Sequence, residues 1–221
     1  MMRTRVLAVL AAATFALAGC GGGSDDDVSD LSAKEILAKS KAAAKDADSL
    51  TVEGEGQTGT TRIEVDMEFT KTTGEGSISA DNAEIELLSV DDKTYFKAGP
   101  EVYSQFGANG DQIARTIGDK WILASGDAFK QIVTFANRDS FIDQLLTPDT
   151  TPTKTKGKKV EGVDCVGLTT KTGTLYVDRS DARPIRLDPE GGSGKLTFDY
   201  DDVDPAKAPK ADDVFELGAL G

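Results

Sequence analysis

The sequence predicts an α+β fold, with a curved antiparallel β-sheet forming a half-barrel of about ten strands around a central helical insert. Three observations carry this. Ile63, Val65, Met67 and Phe69 alternate strictly with Glu64, Asp66 and Glu68, the period of a strand with one greasy and one wet face. Short turn signals separate this strand from its neighbours, which favours antiparallel pairing over crossovers. Between two blocks of strands the apolar spacing becomes helical, and amphipathic helices inside an antiparallel sheet must pack on its apolar face.

The elements follow in chain order. Ser32 and Glu35 form an S-x-x-E capping box that starts a helix running to about Lys45. Leu31 precedes the cap and can staple onto Ile36. Ile36, Leu37, Ser40, Ala43 and Ala44 make a narrow apolar stripe opposite a lysine-rich face. Strands are expected at Ser49–Gln57, around Ile63–Phe69, and at Gly74–Ala80, Glu84–Val90 and Lys93–Lys97, with turns at Thr58-Gly59, Thr72-Thr73-Gly74, Asp81-Asn82 and Asp91-Asp92. Short helices are expected at Pro100–Phe106 and Asp111–Ile117, then a brief extended segment at Lys120–Leu123. Asp127 opens a longer helical region with Phe129, Ile132, Val133 and Ala136 in register. Asn137-Arg138-Asp139 breaks it, and Phe141, Ile142, Leu145 and Leu146 resume it until Thr147-Pro148. Five more strands are expected: Lys156–Val160 (basic and edge-like), Cys165–Thr170, Thr174–Asp178, Pro184–Leu187 and Lys195–Asp201. The tail from Pro205 reads as irregular.

The first 19 residues read as a signal peptide. Arg3 and Arg5 precede an apolar run to about Ala18, too short to span a bilayer, which takes about 20 residues. The run ends in Leu17-Ala18-Gly19-Cys20, which resembles a bacterial lipobox. The Cys20 thiol is the expected lipid acceptor and the first mature residue. Two acyl chains, at about 0.8 kcal/mol per buried methylene, hold a protein stably on a membrane. Residues 20–30, with Gly21-Gly22-Gly23-Ser24 and Asp25-Asp26-Asp27, read as a solvated, flexible tether. Residues 31–221 are long enough for one domain with a real core.

Composition narrows the function further. The net charge is -13, and removing Arg3 and Arg5 with the signal leaves -15. Such a surface disfavours nucleic acid and direct docking on anionic headgroups. With Cys20 lipidated, Cys165 has no partner in the chain and reads as a small buried hydrophobe. The sequence contains no histidine, which removes the usual base of Ser-His-Asp and Cys-His hydrolysis and the commonest zinc ligand. No cofactor and no catalytic residue are expected.

Several segments share a familiar order. Gly118-Asp119-Lys120-Trp121 introduces an extended segment. Gly173-Thr174-Leu175-Tyr176-Val177-Asp178 is followed by Ala182-Arg183-Pro184-Ile185-Arg186-Leu187, and Lys195-Leu196-Thr197-Phe198-Asp199-Tyr200 precedes the Pro209 tail. Behind a lipobox and a capped helix, this order resembles actinobacterial lipoproteins of the LppX/LprAFG type, related in fold to the LolA and LolB carriers. The resemblance spans about Leu31 to Leu217. It implies a LolA-like half-barrel that holds lipids or glycolipids by their acyl chains at the outer face of the cell membrane, and no enzyme. It also leaves an alternative, a protein-binding or sensor module on the same scaffold with an envelope protein as partner.

A lipid cavity needs apolar walls. The expected walls are Ile63, Val65, Met67, Phe69, Ile78, Ile85 and Leu87 from the sheet, and Phe129, Ile132, Val133, Phe141 and Leu145 from the helices. For each of them the competing reading is plain core. Trp121 and Tyr103 are candidates for a cavity mouth or for ordinary packing. Asp199, Asp201, Asp202 and Asp204 lack the spacing of a calcium loop. Gly191-Gly192-Ser193-Gly194 precedes a strand instead of a helix and reads as a hairpin turn, not a phosphate loop.

Overall fold

The computed structural model describes residues 27–58, 60–104, 110–191 and 194–215. The signal segment, Cys20 and most of the expected tether lie outside them. The last tether residues are ordered: Val28–Asp30 form a 3-10 turn, and Val28 is buried. A single apolar side chain with a place in the core ends the solvated stretch earlier than its aspartates suggest.

Helix α1 (Ala33–Asp46) starts at the expected cap. Ser32 Oγ accepts from the Glu35 N–H at 3.3 Å, and the Glu35 carboxylate accepts from the Ser32 N–H at 2.9 Å. The Ser32 hydroxyl, which also donates to the Glu35 carboxylate at 2.6 Å, and the Ser32 N–H hold that carboxyl below its usual range. Ile36, Ser40 and Ala44 turn the buried stripe inward.

Strands β1 (Ser49–Thr58), β2 (Thr61–Thr70), β3 (Gly74–Ala80), β4 (Ala83–Val90) and β5 (Lys93–Ala98) form one antiparallel meander. Helices α2 (Pro100–Ser104) and α3 (Gly110–Ile117), strand β6 (Trp121–Leu123), and helices α4 (Lys130–Ala136) and α5 (Arg138–Leu145) follow. A second meander holds β7 (Thr153–Val160), β8 (Val163–Thr169), β9 (Gly173–Asp178), β10 (Pro184–Pro189) and β11 (Gly194–Asp199). The two meanders join where β1 pairs with β11, with Val52 opposite Phe198. The result is a single open sheet of 12 strands in the order β12-β6-β5-β4-β3-β2-β1-β11-β10-β9-β8-β7. The two strands beyond the expected ten are β6, the segment expected to be extended, which pairs antiparallel beside β5, and β12 (Val214–Phe215), which pairs parallel to β6 inside the tail read as irregular. A two-residue strand carries no alternation to read.

Laid flat, 12 strands about 4.8 Å apart would span about 53 Å. Instead Phe96 of β5 and Val166 of β8 belong to one buried cluster with Ile36, Phe141 and Ile142 of the helices, so the sheet curls around them. Two strand glycines assist. Gly54 and Gly76 have φ of +134° and +143°, and a Cβ there would overlap the carbonyl oxygens of Lys195 and Asp66.

The helical cover is tied together by polar contacts. Lys45 Nζ reaches Asp143 at 2.6 Å, and Arg138 Nη1 donates to the Ala47 carbonyl at 2.7 Å. The Lys45 ammonium holds the Asp143 carboxyl below its usual range. Near β4–β6 the outer sheet face is covered too: Leu88, Val90 and Tyr95 pack with Trp121, Ala206 and Val214. That face was expected to be wet. Trp121 therefore belongs to an outer cluster, with Lys97 Nζ 4.6 Å from its ring centre, and Tyr103 is buried in the main core. Neither lines a mouth.

Candidate functional site

The register gives the sheet two ends. One carries the β2–β3, β4–β5, β7–β8 and β9–β10 turns, and the other carries the β1–β2, β3–β4, β8–β9 and β10–β11 turns. Strand β2 runs between them. Its inward residues Met67 and Phe69, at the first end, are fully buried, while Ile63 and Val65, toward the second end, are only partly covered.

The cover explains this gradient. Asn137 is at once the C-cap of α4 and the N-cap of α5, and its side chain accepts from the Ser140 N–H at 3.0 Å. The kink delivers Phe141 onto Phe69 with ring centres 5.3 Å apart, and Phe135 stands edge-on to Phe141 at 6.5 Å. Beyond Phe135 and Leu145 the helices leave the sheet uncovered. A cavity of about 740 Å³ opens there, within the usual range for a small-molecule pocket, about 300–1,000 Å³.

The cavity walls are apolar. Ile63, Val65, Ile78, Ala80 and Leu196 come from the sheet, and Phe135, Phe141 and Leu145 from the helices. The polar groups sit at its rim, where Gln57, Gln144, Lys171, Thr172 and Glu190 are all exposed. A smaller recess of about 220 Å³ adjoins it, sharing Leu145, Thr172 and Pro189 and reaching Leu37 of α1 and Leu175 of β9. Other grooves of similar size differ in kind. One of about 730 Å³ on the wet face is lined by Glu53, Glu55, Glu64 and Asp66, and another of about 660 Å³ by Lys71, Asp91, Asp92 and Arg138. Apolar walls with a polar rim suit a ligand with a hydrocarbon body and a polar head.

Of the expected wall residues, the structure brings Ile63, Val65, Ile78, Phe141 and Leu145 to this cavity. Met67, Phe69 and Leu87 lie in the close-packed core instead. Ile85, Phe129 and Ile132 pack against that core from outside the cavity, Phe129 with its ring 5.4 Å from Phe96. Val133 is a correction. It is 39% exposed and borders the polar groove, because α4 turns Ile132, Phe135 and Ala136 inward and leaves 133 outside. Ala80, Phe135, Leu196 and the rim were missed in the sequence. Phe135 stands three residues after Ile132, a helical spacing that was there to be read.

Other side chains flagged in the sequence resolve simply. Cys165 is buried with a free thiol, which desolvation pushes up to about 11, so it is a packing residue with little thiolate. Asp199 accepts from the Asp201 N–H at 2.8 Å, and among the described residues no group of three or more potential ligands converges on a metal position.

No family model matches the chain, and no curated protein matches it. Among solved structures it is similar to the crystal structure of LprF from Mycobacterium bovis, at a TM-score of 0.48 and 16% identity over 79% of this chain and 96% of that one. It is also similar to the crystal structure of an uncharacterized conserved protein from Thermus thermophilus, at a TM-score of 0.43 and 10% identity over 83% and 98%. Both are likenesses of outline.

Proposed function

We propose that this protein is a membrane-anchored envelope lipoprotein that binds lipid or glycolipid acyl chains in the cavity between β2–β3 and α4–α5. The observation that carries the reading is the cavity itself, about 740 Å³ with aliphatic and phenyl walls and every polar group at its rim. An acyl chain entering it exchanges water for these walls at about 25 cal/mol per Å² of apolar surface. The rim glutamines, Lys171 and Glu190 are placed to meet a polar headgroup. Lipidated Cys20 supplies the anchor, on the outer face of the cell membrane.

Native mass spectrometry of the domain purified without detergent from an envelope-containing host tests this. A population heavier by the mass of an acyl lipid, lost on delipidation and regained on adding lipid, is the expected result. Absence of both a bound lipid and any uptake overturns it.

A further inference from the structure

Charge is unevenly spread over the sheet. From Ser49 to Ala98 the first meander carries 11 carboxylates against four cations, and from Thr153 to Asp199 the second carries nine cations against seven carboxylates. The cations concentrate in β7. Lys154, Lys156, Lys158 and Lys159 fall within six residues, and every residue of β7 except Val160 is exposed. Strand β7 ends the sheet and pairs only with β8.

Among the described residues none of these four lysines forms an ion pair. Lys154 Nζ donates to the Ser29 and Leu31 carbonyls at 2.5 and 3.1 Å, so the edge lies beside the segment by which the chain enters the domain. Lys158 Nζ stands 4.1 Å from the centre of the Tyr176 ring. Nearby carboxylates are engaged elsewhere: Glu161 with Arg186 and Lys195, and Asp27 with Arg179. Asp164, opposite Lys159 in the register, makes no ion pair with it. Edge lysines also keep foreign strands from pairing. In β7 the bulge between Thr155 and Lys158 already interrupts the edge, and the opposite edge, β12, is short and has no lysine.

We propose that the β7 edge docks the protein on anionic phospholipid headgroups. This rests on the membrane-anchored reading above. The whole-chain charge of -13 opposes such a surface, but at physiological salt a charge is screened over about 8 Å. Glu53 and Glu55 of β1 are five strand spacings from β7, about 24 Å along the sheet. A headgroup layer at β7 therefore meets the lysines at close range and the acidic meander only through several screening lengths. Ammonium groups on flexible stems suit phosphate oxygens as point charges. An acidic strand from a protein partner is the poorer fit, because it needs a regular edge and the bulge removes one.

The test uses the full lipidated chain in vesicles of phosphatidylcholine, alone or with about 30% phosphatidylglycerol, at about 0.1 M and about 1 M salt, where the screening length is about 10 and about 3 Å. Brief acetylation followed by mass spectrometry reads each lysine. At low salt Lys156, Lys158 and Lys159 should react at least about threefold more slowly in the anionic vesicles, relative to the exposed Lys93 and Lys120. High salt should remove the difference. Exchange of the β7 amides should slow in the same vesicles, and the Lys156→Gln/Lys158→Gln/Lys159→Gln variant should lose that response. Equal lysine rates in the two vesicle types, or protection that survives high salt, overturns the proposal. Stronger protection by soluble polyglutamate than by anionic vesicles also overturns it and makes the edge a site for an acidic protein segment. If the chain does not float with phosphatidylcholine vesicles at all, the anchored reading fails first, a result distinct from a floating chain whose lysines stay open.

Discussion

The two ends of strand β2 carry the same alternation and do different things. At the end that carries the β2–β3 turn, where the chain enters the domain with Val28 bonded to the Arg179 carbonyl, Met67 and Phe69 are fully buried, with Phe69 against Phe141. At the mouth end Ile63 and Val65, four and two residues before Met67 on the same face, line open space. Alternation reports which face of a strand is turned inward. What fills the space beneath is decided by where the helical cover stops, and here it stops at Phe135 and Leu145.

The comparison can be broken most directly by truncation at each end. Phe69→Ala should cost about 3–5 kcal/mol, the range for a large side chain removed from a packed core. Ile63→Ala already faces a void and should cost only about 1 kcal/mol. Urea unfolding of both variants checks the difference, and equal losses would mean that the mouth end is as closely packed as the entry end. Filling the cavity sharpens the comparison from the other side. Val65→Phe places a ring in existing space, so stability should change by less than about 1.5 kcal/mol while uptake of a fluorescent acyl lipid falls at least about tenfold. A filled variant that still takes up lipid would move the binding site elsewhere.

Much of the architecture was legible because it depends on local signals. The Ser32–Glu35 box, the β2 alternation and the Asn137 break each correspond to an element boundary in the structure. The pairing of β1 with β11 was not legible. It joins residues nearly 150 positions apart, as in Thr51 opposite Asp199, and no turn signal specifies it. The outer cluster under the tail was missed for a related reason, since Val214 meets Trp121 only after the whole sheet has formed. For the site, the sequence offered twelve apolar candidates without a way to rank them. Lining and core residues share one composition, and the empty volume that separates Val65 from Met67 depends on helix length and placement.

Smaller effects are expected where the chain enters. Ser32→Ala removes the acceptor for the Glu35 N–H at the start of α1 and should cost about 1 kcal/mol. Urea unfolding reads this as an earlier midpoint with an unchanged slope. The loss belongs to α1, so lipid uptake at the mouth should persist.

The Asp27–Arg179 pair has the smallest effect, and it depends on pH. The Arg179 guanidinium bonds the charged carboxylate, which holds the Asp27 carboxyl well below its ordinary value. A carboxyl lowered on docking contributes fully above the ordinary aspartate range and loses its contribution as pH falls through the lowered value. Acidification from about pH 5 to about pH 3 should therefore loosen residues 27–31 before the sheet responds. Amide exchange at Val28 and Leu31, whose N–H groups donate to the Arg179 and Val28 carbonyls, reads this locally. Both partners are solvent-exposed, so the change should be modest and partly screened by salt. Arg179→Ala should weaken the pH dependence to what the Ser29 N–H bond to the Asp27 carboxylate still supplies, and leave Val28 in its pocket. If exchange at these amides ignores both pH and the substitution, burial of Val28 alone fixes the entry point, and the ion pair contributes nothing to it.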